Sequence, residues 1–157
     1  MKKTIAVLVE NQFGVLTHVS GLFSARGFNI DSLAVGETED PTISRMTIVV
    51  DGDEKTLEQV KKQLNRLIDV VKVIDLTGED IVDRELVLVK LKVDTKNRSE
   101  ILQVADTFQA RIDDVKKETV VIEVTGDQNK IKSFIEMMKP FGIVEIVRTG
   151  RIAMGRK

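Results

Sequence analysis

Apolar residues recur along this chain at two spacings, and the switch between them marks out its elements. Thr4 to Val9 is a short β-branched run, bounded by Glu10-Asn11-Gln12 and Gly14, and predicts a strand. Leu16, Val19, Leu22 and Phe23 then recur at helical spacing, with Gly27 just past the end as a helix stop. Asn29 to Glu37 predicts a second strand, Thr38-Glu39-Asp40-Pro41 a turn, and Ser44 to Val50 a third strand. Asp53 is placed to cap a helix that carries Leu57, Val60, Leu64 and Leu67 on one face. Val70 to Leu76 closes the unit as a fourth strand.

After Gly78-Glu79-Asp80 the same order begins again. Leu86 to Val93 is a strand-type apolar run, and a helix follows with Ile101, Leu102, Ala105 and Phe108 on its buried side. Ile112 to Val115 and Thr119 to Val124 form a hairpin turning at Lys116-Lys117-Glu118. Asp127 caps a helix bearing Ile131, Phe134, Ile135 and Met138, which ends at Pro140 and Gly142. Ile143 to Val147 is the last predicted strand. Each half reads strand, helix, strand, strand, helix, strand, the split βαβ plan. The expectation is therefore an α+β protein with two ferredoxin-like βαββαβ domains in tandem, residues 1–77 and 78–157.

Thr4 to Val9 and Met46 to Val50 are nearly continuous in apolar residues. A sheet with helices on one face and water on the other should alternate instead. Either these are fully buried central strands, or the sheet's second face is covered or extended by another copy or domain.

Composition narrows the range of functions. The 157 residues carry a formal net charge of -1, so no bulk positive field draws the chain onto nucleic acid or anionic lipid. With no cysteine, disulfides and thiolate chemistry are excluded. The apolar run after Lys2-Lys3 is too short for a signal peptide, and no stretch approaches the ~20 apolar residues of a membrane span. A cytoplasmic location is expected, or an organelle interior if a transit peptide has been trimmed.

The residues of an enzyme are sparse. There is one histidine, His18, no Cys or Tyr, and no zinc, phosphate-loop or dinucleotide fingerprint. Ser20 lies near His18 in sequence but faces away on a helix, which leaves His18 as a polar helix-face residue or a pocket-lining one. Glu37, Glu39 and Asp40 read as a solvated hairpin tip, with a metal site as the alternative. RNA-recognition domains of the same plan stack bases on aromatics displayed by the sheet. Here Phe13, Phe23, Phe28, Phe108, Phe134 and Phe141 all fall in predicted helices or connections, so that platform is missing. The basic tail of Arg148, Arg151, Arg156 and Lys157 reads as a solvated end or a partner contact.

One loop invites a functional reading. Glu10-Asn11-Gln12-Phe13-Gly14-Val15-Leu16 leads from the first strand straight into the first helix. Gly14 allows close approach, and the amides that follow have no partner inside the helix. Together with the positive end of the helix dipole they suit a carboxylate. Asn11 adds both a donor and an acceptor. The competing reading is that Gly14 only shapes the turn and Asn11 only caps it.

At these residues the chain resembles a known family. Val7-Leu-Val-Glu-Asn-Gln-Phe-Gly-Val-Leu16 is similar to the opening of an ACT domain, the small module that binds amino acids allosterically. Gly21-Leu-Phe-Ser-Ala-Arg-Gly-Phe-Asn-Ile-Asp-Ser-Leu33, Asp40-Pro-Thr-Ile-Ser-Arg-Met-Thr-Ile48, Asp53-Glu-Lys-Thr-Leu-Glu-Gln-Val-Lys-Lys-Gln-Leu64 and Leu67-Ile-Asp-Val-Val71 resemble the small regulatory subunit of acetolactate synthase, also called acetohydroxyacid synthase. Arg84-Glu-Leu-Val-Leu-Val-Lys90 is similar to the start of that family's C-terminal domain, so the resemblance spans the whole chain.

The resemblance implies a non-catalytic subunit. It would activate a separate catalytic partner and confer feedback inhibition by valine or another branched-chain amino acid in valine, leucine and isoleucine biosynthesis. It implies pairing of two ACT domains as a homodimer, with the effector between them. Asn11 and the backbone at Gly14 and Val15 would hold the effector, Leu16 would contact its side chain, Asn29 and Ile30 would complete the pocket, and Val35 would approach from the paired subunit. No cofactor is expected in this chain; thiamine diphosphate, magnesium and FAD are expected in the catalytic partner. A stand-alone ACT-type sensor of another enzyme or of transcription is the rival reading, and a small enzyme on the same plan a third.

Overall fold

The computed structural model describes residues 2–157, which form two compact units. The first comprises the N-terminal residues through Val82 together with Arg151–Lys157, and the second Asp83–Gly150. Relative to the expected division at 77/78, the last seven residues belong with the first unit, because they pack on its sheet.

The first unit runs β1 (Lys2–Glu10), α1 (Val15–Ala25), β2 (Asn29–Glu37), β3 (Ile43–Asp51), α2 (Glu54–Arg66) and β4 (Val70–Asp75). Its sheet has the order β2-β3-β1-β4, entirely antiparallel, with β2 and β4 at the edges. Alternate residues of β1 and β3 face the helices. Ile5, Val7, Val9, Met46, Ile48 and Val50 pack there with Val19 and Phe23 of α1 and Leu57, Val60 and Leu64 of α2. Asp53 caps α2 as expected, its carboxylate accepting from the Thr56 N–H at 2.7 Å.

The other face explains the unbroken apolar runs. Ala6, Thr4, Thr47 and Val49 are buried although they point away from the helices. A ninth strand that the sequence pattern did not suggest, β9 (Ile152–Gly155), packs on this face against Ala6, while Leu76 and Thr77 bond to Thr4. Ala153 packs with Ala6, Leu76, Ile74 and Ile81 in a small second core. The Arg151 N–H donates to Ser32 Oγ at 2.8 Å, and Arg45 Nη2 donates to the Ala153 carbonyl at 2.9 Å. The end expected to be solvated or partner-bound therefore has a docking place within its own unit.

The second unit contains the greater part of β5 (Ile81–Lys92), then α3 (Arg98–Thr107), β6 (Arg111–Val115), β7 (Thr119–Gly126), α4 (Gln128–Met138) and β8 (Ile143–Arg148). Its strands follow the order β6-β7-β5-β8. Val87, Val89, Leu91, Ile122 and Val124 pack beneath Ile101, Ala105, Ile131, Phe134 and Met138. Phe108 and Phe134 meet edge to face at 5.5 Å. Leu102, expected on the buried side of α3, is instead 44% exposed. Asp127 caps α4 through the Lys130 N–H at 2.9 Å. Both units thus have the βαββαβ order. Among the described residues no helix is long and apolar enough to cross a membrane.

Candidate functional site

The end of the first unit where β1 enters α1 is held from two sides. The Glu10 N–H donates to Asp69 O at 2.8 Å, and the Asn11 N–H to Thr42 O at 2.7 Å. The Thr38–Ile43 turn that supplies Thr42 is itself pinned by Asp40, whose Oδ1 accepts from both the N–H and the hydroxyl of Thr42 at 3.0 and 2.7 Å. Those Thr42 bonds hold the Asp40 carboxyl below its ordinary pKa.

Gly14 occupies the N-cap of α1 in the left-handed region, at φ 85°, where a side chain is strained. A Cβ there would meet nothing within 4 Å, so the position opens onto free space. The cap contributes no side-chain hydrogen bond, and the first turn contains no acidic residue. α2 and α4 differ in this respect, since each has an aspartate carboxylate at its N-terminus. The first N–H of α1 to bond back to the cap is that of His18, to Gly14 O at 3.1 Å. The amides of Leu16 and Thr17 precede it in a helical turn with no internal acceptors. A left-handed glycine, bare amides and an unneutralised helix dipole make this a place where a carboxylate is favoured.

Around it, Val15 is buried and anchors the helix in the core, while Leu16 is 46% exposed and Phe13 fully so. Leu16 continues the apolar spacing of the helix but faces outward beside the loop. Val35 joins the same region through strand register. It pairs with Met46, which pairs with Val7, in one row on the helix-covered face. Met46 and Val7 are buried, yet Val35 is 50% exposed. Val35 is thus an apolar residue left half open on the covered face.

The expected residues do not all meet in one chain. Asn11, Gly14, Val15, Leu16 and Val35 share one end of the sheet. Asn29 pairs with Asp51, at the far end of β3 from Ile43, which pairs with Glu10; this stretch of β3 runs about 26 Å. Asn29 and Ile30 therefore stand at the opposite end, where Asn29 Nδ2 donates to Asp31 Oδ1 at 3.2 Å and Asp31 pairs with Lys2 at 3.1 Å. In a single chain Asn29 and Ile30, rather than Val35, are the residues remote from the loop.

Sequence reasoning missed one neighbour of the loop. Asn11 Nδ2 donates to Glu37 Oε1 and to the Pro41 carbonyl, both at 3.2 Å. His18 lies on the exposed side of α1 with Nδ1 4.0 Å from Asp69 Oδ2, at the outer limit of an ion-pair contact. Among the described residues no three His, Asp or Glu side chains cluster in a way that could hold a metal.

Comparison with known proteins decides the family. Residues 5–72 match the model of the AHAS small subunit-like ACT domain, and residues 84–157 that of the small subunit of acetolactate synthase. The chain belongs to the acetolactate synthase small-subunit family. It is 54% identical to the "Probable acetolactate synthase small subunit" of Archaeoglobus fulgidus over 99% of this chain and 98% of that protein. It is 47% identical to the acetolactate synthase small subunit of Mycobacterium leprae over 98% and 90% of the two chains. The crystal structure of the small subunit from Thermotoga maritima superposes over 100% of this chain and 98% of its own, with a TM-score of 0.90 at 42% identity. The ACT-domain match contains the whole β1–α1 loop, and a regulatory role is what the small-subunit family implies.

Proposed function

We propose that this small-subunit family member activates a catalytic acetolactate synthase subunit and makes it sensitive to valine or a related branched-chain amino acid. The observation that carries this reading is the bare, glycine-capped N-terminus of α1 beside Asn11. An α-amino acid brings a carboxylate for the helix amides and a branched side chain for Leu16 and Val35.

The separation of Asn29 and Ile30 from the loop gives the homodimer a function. β2 is an edge strand with one side of its backbone unpaired. Two copies joined antiparallel through β2, about a two-fold near Leu33, set the partner's Asn29 opposite Glu37. The partner's Ile30 arrives beside it. Each effector site is then completed only by pairing, and two such sites lie across one continuous sheet. Ligand in such a site favours one placement of the protomers over others, and this differential affinity is what allosteric control requires. A coupling of about 1–3 kcal/mol is ordinary for such devices. Thiamine diphosphate, magnesium and FAD would reside in the catalytic partner, in the cytoplasm, where carbon–carbon bond formation occurs; this chain supplies effector binding.

The test is reconstitution. Adding the purified chain to an acetolactate synthase catalytic subunit should raise its turnover, and valine should then lower it. No change in rate and no valine response would support the stand-alone sensor instead.

A further inference from the structure

The exposed Asn11 side chain is oriented by two hydrogen bonds. Its side-chain nitrogen bonds to Glu37 Oε1 and to the Pro41 carbonyl oxygen, each at 3.2 Å. An ionised carboxylate and a carbonyl can only accept, so the amide nitrogen, not the oxygen, must face them. Both N–H groups are thereby committed, and the amide has only Oδ1, an acceptor, left to offer a ligand. The backbone that carries each acceptor is fixed. Pro41 belongs to the turn fixed by the Asp40–Thr42 bonds, and Glu37 ends β2, paired with Ser44. The Asn11 backbone is tied to the same turn through Thr42 O.

We infer that Glu37 is the positioning and specificity-determining residue for the ligand's α-ammonium: it turns the Asn11 amide so that its oxygen meets the ammonium, and it supplies the negative charge that selects a ligand carrying one. This rests on the reading of the β1–α1 loop as the effector site and assigns its second half. The α1 amides take the anionic end of an amino acid, and the Glu37–Asn11 pair at the same end of the sheet takes the cationic end. Carboxylic acids of the same shape lacking the ammonium are thereby rejected, since they would leave the Asn11 oxygen and the Glu37 charge unmatched.

Calorimetric titration with L-valine and with 3-methylbutanoate, the same skeleton without the amino group, tests this. The wild type should bind valine and discriminate strongly against 3-methylbutanoate. Glu37→Ala should weaken valine by about 10- to 100-fold and leave 3-methylbutanoate within about twofold, so that the ratio collapses. Glu37→Gln, whose amide oxygen can still accept from Asn11, should fall between the two. A merely structural role would weaken both ligands together and keep the ratio. An unchanged valine affinity, or an unchanged ratio, in both variants overturns the assignment of Glu37 while leaving the loop site standing. A wild type that binds no valine, or a Gly14→Asp variant that binds it normally, overturns the loop site itself and this inference with it.

Discussion

Arg45 on β3 donates a 2.9 Å hydrogen bond to the carbonyl oxygen of Ala153, far along the chain, and so fastens the returning C-terminal strand to the first sheet. Ala153 is 5% exposed against a fully buried Ala6, and Arg156 Nε reaches Asp80 Oδ1 at 2.9 Å to hold the outer end. The face of the sheet opposite the helices is thus partly closed by residues 151–157 together with Leu76 and Ile81. An apolar β1 is stable there because both its faces are covered.

Deleting residues 151–157 should therefore destabilise the first unit. Re-exposing aliphatic surface around Leu76 and Ile81 costs on the order of 2 kcal/mol, equivalent to a fall of several degrees in melting temperature. Scanning calorimetry checks it. An unchanged melt would mean that the strand contributes nothing to the sheet it covers.

Gly52 is required for steric rather than conformational reasons. A Cβ there would fall 1.8 Å from Cε1 of Phe28, which is buried and meets Phe23 edge to face at 6.2 Å. Gly52→Ala should cost about 1–3 kcal/mol by overpacking. Phe28→Leu in the same chain should recover part of that loss. Strictly additive losses in denaturant melts would contradict the contact.

Asp75 and Lys61 give stability a defined pH response. Burial alone raises the Asp75 carboxyl, but the Thr77 N–H and the Lys61 ammonium, each at 3.0 Å, outweigh it and bring the pKa below the ordinary 3.8. The bond to Glu58 and the charge of Asp75 raise Lys61 above the ordinary 10.5. A depressed carboxylate stabilises the fold above its unfolded pKa and ceases to do so as pH falls through its folded value. A raised lysine stabilises below its unfolded pKa and ceases as pH rises through its folded value. Asp75→Asn should thus cost about 0.5–1 kcal/mol at pH 7, discounted for solvent screening, and the gap from wild type should close as pH falls below 3.8 through the folded Asp75 value. Urea melts over a descending pH series read it. A gap of equal size throughout would mean that charge is not the cause.

Asn29→His should raise the valine concentration needed for inhibition by about tenfold, while activation of the catalytic subunit persists. The imidazole is bulkier and sets its donor and acceptor nitrogens apart on a ring, so it cannot reproduce the amide's side-by-side donor and acceptor beside Asp31. Steady-state assays with and without valine distinguish the effects. Parallel loss of activation would show that this end of β2 docks the catalytic subunit instead.

Much of this architecture is legible in the sequence because local signals agree with the fold. Asp53 and Asp127 announce α2 and α4, and the Asn29–Glu37 run matches β2 at both ends. β5 begins at Ile81 rather than Leu86 because Asp83-Arg84-Glu85 hides the strand behind charge, and Glu85 is buried only by virtue of a 2.6 Å pair with Arg148. β9 is four residues long with a single buried side chain, too little pattern to read. At the candidate site, Asn11 and Gly14 draw notice by residue type between β1 and α1, although the same spacing fits a plain turn and cap. The Glu37 bond to Asn11 does not, since it depends on the register of β2, β3 and β1, which no local motif encodes.

The most direct test of the proposed effector site is calorimetric titration of L-valine into the wild type and into Gly14→Asp. Open space surrounds the new side chain, and aspartate is among the residues that tolerate the left-handed region, so folding should cost only ~1–2 kcal/mol. Saturable heat from the wild type and none from a still-folded Gly14→Asp is the predicted result, because the added carboxylate takes the place of the ligand's. Equal valine affinity in the two proteins would contradict the account.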